Sequence, residues 1–146
     1  EEKGIWVALN TDYINNNYDI KTEGRVKFEN DLDYGKIGEF WVDDALSNGT
    51  VEVKTERDIW VKTGNIAIEI RGRDGRKSGI SITEADTWIQ LLSIDGVVKG
   101  GFVFKVADLK KRMKELHASG DARLVMGGDD NATQMVLLPI DKLFRD

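Results

Sequence analysis

The sequence predicts an α+β fold, with a mixed, largely antiparallel central sheet flanked by helices. Three observations predict it. Two segments, 31–46 and 108–119, repeat apolar residues at helical spacing. Several short segments alternate, or are rich in β-branched residues, as strands are. The order is helix, a run of strands, helix, then two strands, which suits a mixed sheet with one helical crossover. At 146 residues and 40% hydrophobic, the chain is expected to be a single domain, 1–146, with its core in 31–140 and peripheral strands in 1–28.

Within 1–28, "GIWVALN" reads as a strand and "YDIKTEGRVKFE" as a polar hairpin turning at Glu23-Gly24. In 31–46, Ile37, Phe40, Trp41 and Ala45 fall at helical spacing, Asp31 or Asp33 suits the N-cap, and "SNG" stops the helix. Residues 50–56 alternate, and 65–71 are β-branched and apolar around one Glu. These two are expected to form a hairpin around 57–64, with Thr63-Gly64-Asn65 setting the turn. After the polar loop "RGRDGRKSG", "DTWIQLLSI" reads as a buried strand and "GFVFKV" as a fourth. In 108–119, Leu109, Met113 and Leu116 form an apolar stripe, and Gly120 suits the C-cap. "ARLVMGG" and "QMVLLPI" are two more strands around "GDDNAT".

Composition excludes much. There is no cysteine and a single histidine, so disulfides, thiolate metal sites and a histidine-built triad are ruled out or disfavoured. A metal would need oxygen ligands, which points to magnesium, manganese or calcium. No apolar run approaches the ~20 residues of a membrane span, and a cytoplasmic location, viral or bacterial, is the expectation. The net charge is −5, but 54–77 carries seven basic and four acidic residues. A locally basic strip on an acidic body can engage phosphate, or can simply be solvated.

Glu52, Lys54 and Glu69 stand inside the two best strand segments. Side chains alternate faces along a strand, so Glu52 and Lys54 share one, as do Glu69 and Arg71. In the expected hairpin Glu52 lies opposite Glu69, with Cβ atoms roughly 4.5–5.5 Å apart. Two carboxylates that close repel unless a cation sits between them, and a divalent ion would resolve the conflict. Such an ion polarises a phosphoryl oxygen and activates water, while Lys54 offsets developing charge. The plainer alternative is a solvent face carrying ordinary cross-strand ion pairs. A bulge would place the two acids on opposite faces.

"GEFWVDDAL", "VEVKTE", "TGNIAIEI", "SGISITEADTW" and "MGGDDNATQMVLLPI" together resemble the PD-(D/E)xK nuclease superfamily, in particular its small phage-type and resolvase-like members. The similarity runs over about 34–140. It implies a restriction-endonuclease-like αβββαβ core and a Mg2+- or Mn2+-dependent DNA endonuclease, with a homodimer implied for resolvase-type action. By position, Glu52 takes the place of the first motif acid and Glu69 that of the second. Glu39 takes that of a helical glutamate added to the metal site. Arg71 stands where the superfamily has lysine, a departure, because arginine cannot give up a proton. Lys54 is then the functional lysine. A second alignment makes Glu52-Val53-Lys54 the E-x-K, with Asp43 or Asp44 as first acid, and leaves Glu69 unexplained.

Arg57, Lys62, Arg71, Arg73, Arg76 and Lys77 are the expected phosphate-backbone contacts. Ser78, Thr83 and Asp86 are read as turn caps, with Asp86 alternatively a helper acid. His117 is read as a helix-dipole partner, and Trp60 as either packing or stacking on a base. Two rival functions remain: a non-catalytic nucleic-acid-binding module on the same fold, and a phage structural or assembly protein.

Overall fold

The computed structural model describes the backbone of residues 31–145 and the side chains of 35–145. The strands expected in 1–28, and the side chains of the candidate caps Asp31 and Asp33, lie outside the described residues. The chain divides into two units at Gly49/Thr50. Of the first unit the described part is helix α1 (Asp31–Ser47) with the two residues after it, and Glu39 stands exposed on α1.

The second unit runs β1 (Val51–Glu56), α2 (Ile59–Thr63), β2 (Asn65–Arg71), β3 (Thr87–Ile94), β4 (Val97–Lys105), α3 (Val106–Ser119), β5 (Arg123–Gly127) and β6 (Thr133–Pro139). It is a mixed α+β fold in which three of the four strand pairings are antiparallel. The strands divide between two three-stranded sheets, in the orders β1-β3-β4 and β2-β6-β5. No described helix is long and apolar enough to cross a membrane.

The expected β1–β2 hairpin does not form. β1 pairs in parallel with β3, placing Glu52 beside Trp88 and Lys54 beside Gln90. β2 pairs antiparallel with β6, and Glu69 stands opposite Met135. Glu52 and Glu69 therefore belong to different sheets. Eight residues separate β1 from β2, longer than a usual hairpin loop. Ile59, Trp60 and Val61 within them wind into a helical turn instead. Gly64, in the left-handed region at φ 70°, caps that turn by donating its N–H to the Trp60 carbonyl at 2.8 Å. The Trp60 indole N–H donates to the Ser93 carbonyl at 2.8 Å, fastening α2 to the end of β3. Trp60 thus has a packing role.

Where partners are close in sequence, the strands read from the sequence form and pair with their neighbours. β3 and β4 form a hairpin through Asp95-Gly96, both at positive φ (50° and 76°), as a type I′ turn requires. β5 and β6 pair around 128–132. α3 buries Leu109, Met113 and Leu116 and ends at Gly120, φ 84°. It packs against β4 and β6. The core joins both sheets through Ile66 and Ile68 of β2, Trp88 of β3, Leu109 of α3 and Leu138 of β6, all nearly or wholly inaccessible.

Candidate active site

Parallel neighbours share a face, so β1 presents Glu52, Lys54 and Glu56 on the side where β3 presents Trp88 and Gln90. On β2, Ile66 and Ile68 turn into the core, and Ala67 and Glu69 take the opposite face. The two faces open on one cleft of ≈ 540 Å³. Lys54 and Glu56 line it from β1, Arg57 from just after that strand, Ala67 and Glu69 from β2, and Gln90 from β3. Glu69 and Lys54 thus meet in a cavity even though their strands do not pair.

Glu56 is the residue that sequence reasoning missed. Its side chain is almost fully buried. One carboxylate oxygen, Oε1, accepts the Ala67 N–H at 2.5 Å and the Gln90 Nε2–H at 2.9 Å. Gln90 in turn accepts the Trp88 indole N–H at 2.8 Å. Burial pushes the Glu56 carboxyl above its usual range, against the opposing pull of those hydrogen bonds. The signal was present in the sequence: in "VEVKTE" three charged residues alternate, so Glu56 shares the face of Glu52 and Lys54.

Glu69 accepts the Ser78 hydroxyl through Oε1 at 2.5 Å. The remaining oxygens of Glu56 and Glu69 have no hydrogen-bond partner among the described residues. No buried side-chain nitrogen or oxygen is left unpartnered there, so neither oxygen is completely sealed from the cleft. Gly79 permits this arrangement. Its φ is +54°, and a Cβ there would stand 2.3 Å from the Glu69 carbonyl oxygen.

Glu52 is committed elsewhere. The Lys54 ammonium lies 2.8 Å from its Oε1, and the Thr83 hydroxyl donates to Oε2. The Lys54 and then the Thr83 hydrogen bonds hold its carboxyl below the usual range. Lys54 is also 5.9 Å from the centre of the Trp88 ring, within cation–π reach. It is therefore held from two sides at the cleft wall.

Among the described residues, no group of three or more histidine, aspartate or glutamate side chains stands close enough to enclose a metal ion. The carboxylates that line the cleft among the described residues are Glu56, Glu69 and Asp129, of which Glu56 and Glu69 are each anchored through one oxygen. Glu39 lies on α1 in the first unit.

The basic residues disperse. Arg57 lines the cleft, and Lys62 is exposed on α2. Arg71 donates to the Gly75 carbonyl at 3.0 Å, Arg73 pairs with Asp130 at 3.3 Å, and Arg76 with Asp74 at 3.2 Å. Lys77 lines a different depression on the other side of β2. Asp86 accepts the Thr50 N–H at 3.3 Å at the start of β1, a capping position away from the cleft. His117 is exposed in the last turn of α3. No family model, no curated protein and no solved structure matches this chain.

Proposed function

We propose that the chain is a Mg2+- or Mn2+-dependent endonuclease that hydrolyses DNA phosphodiester bonds. The observation that supports this reading is the convergence of Glu56 and Glu69, from different sheets, on one cleft beside Lys54. Each carboxylate is anchored through one oxygen and leaves the other free. Magnesium is commonly held by one or two carboxylates plus substrate phosphate and water, rather than by an all-protein cage. A pair of anchored carboxylates fits that pattern, and Glu56 takes the place that the sequence assigned to Glu52. When bound, the ion would supply a polarised phosphoryl oxygen and a more acidic water.

The chain's own residues do the positioning. Ser78 holds Glu69; Ala67 N–H and Gln90 hold Glu56. Glu52, itself held by the Thr83 hydroxyl, fixes Lys54, whose ammonium offsets the negative charge that grows on the phosphoryl oxygens. Arg57, on the cleft wall, is placed to take a backbone phosphate. The expected result is cleavage of supercoiled plasmid or branched DNA in manganese. Glu69→Ala should reduce it to background and Lys54→Met should lower it about 100-fold or more, both with thermal melts close to that of the parent. Normal cutting by either folded variant refutes the assignment.

The non-catalytic DNA-binding reading is favoured by Arg71 in the lysine position and by the absence of a three-acid cluster among the described residues. Duplex or branched DNA bound in gel shifts but left intact in every divalent metal would establish that reading instead.

A further inference from the structure

Adjacent residues of β2 serve different cavities. Glu69 faces the cleft, and Ile70 turns to the other side of the sheet. There a groove of ≈ 390 Å³ lies between β2, β6, β5 and α3. Its floor is aliphatic, with Ile70, Ile80, Met113, Leu124 and Val136. Its rim carries three lysines, Lys77 from the loop after β2 and Lys110 and Lys114 from α3, with the His117 imidazole beside them. Among the described residues, no acidic side chain lines it.

The pairing pattern along α3 is one-sided. Lys111 and Arg112 each reach Glu115, at 3.9 and 3.1 Å. Lys77, Lys110 and Lys114 have no ion pair among the described residues. Lys110 and Lys114 are also four residues apart, a like-charge spacing that works against a helix. A row of unneutralised cations above an apolar floor is complementary to a ligand with a greasy body and an acidic head. The volume lies within the usual range for a small-molecule site. Among the described residues, no aromatic ring lines the groove for a nucleobase to stack on.

We propose that this groove binds a free single-chain amphiphilic anion, with its alkyl body on Met113 and Leu124 and its carboxylate among Lys77, Lys110 and Lys114. The site is separate from the cleft, and the inference does not rest on the nuclease reading.

The test is calorimetric titration of the full chain with decanoate, kept below its micelle concentration, against decyltrimethylammonium, which has the same chain and the opposite charge. Decanoate should bind with about one-to-one stoichiometry and the cation should not. Lys110→Gln/Lys114→Gln, both at the helix surface, should weaken decanoate about tenfold, and added salt should weaken it further. Equal binding of the two amphiphiles overturns the proposal, as does an undiminished affinity in the double variant. Retention on phosphatidylglycerol vesicles without decanoate binding would assign the groove to a membrane surface. Binding of oligo-dT that the double variant loses, again without decanoate binding, would assign it to nucleic acid. Either result also overturns the proposal.

Discussion

Glu56 separates two kinds of perturbation. In Glu56→Ala the Ala67 N–H and one Gln90 Nε2–H lose their acceptor in a nearly inaccessible place. An orphaned buried donor costs about 1–3 kcal/mol, so the two together cost about 2–6 kcal/mol. In a unit of this size each kcal/mol lowers Tm by about 4–8 °C, and the variant should melt at least about 8 °C below the parent. Glu56→Gln keeps an oxygen for both donors and cannot ionise. Its difference from the parent should therefore depend on pH. The Glu56 pKa is raised in the folded state by burial. The stability it contributes is fully present below its unfolded value, near 4.5, and is lost as pH rises through the folded value. Tm of Glu56→Gln minus Tm of the parent should consequently grow more positive as pH rises from that region towards neutrality. Melts followed by circular dichroism across that window measure both effects. A difference that is flat or falls with pH, or a Glu56→Ala variant that melts with the parent, would refute the account of a desolvated, doubly anchored carboxylate.

Two further outcomes are expected. Gly79→Ala must place a Cβ 2.3 Å from the Glu69 carbonyl oxygen at φ +54°. It should cost more than the roughly 1–2 kcal/mol of a left-handed conformation alone, read as a lower urea midpoint, and an unchanged midpoint would mean that the β2–Gly79 contact is not tight. Leu109→Ala, at a site with no exposure, should cost about 2–5 kcal/mol in the same assay. A loss well below that would show that α3 does not seal the core.

The sequence by itself determined the elements whose signals are local. Leu109, Met113 and Leu116 repeat at helical spacing, and α3 buries those residues and stops at Gly120. The β5–β6 hairpin also joins neighbours across a short turn. Its register follows from that closure and from which side of "QMVLLPI" must be buried. Glu69 and Lys54 were legible as candidates because charges inside β-branched segments conflict with burial.

Only the tertiary structure decided which strands pair. β1 lies in parallel beside β3, its partners 36 residues on, and β2 beside β6, its partners 63 to 74 residues on. Neither choice leaves a mark on the intervening sequence. Each is set by how Trp88, Leu109, Ile66 and Leu138 close into one core. That closure, and not strand adjacency, brings Glu56 to the cleft with Glu69, while Glu52 stays paired with Lys54 of its own strand. Periodicity reports which face of a strand a side chain occupies, whereas the identity of the facing strand depends on long-range packing.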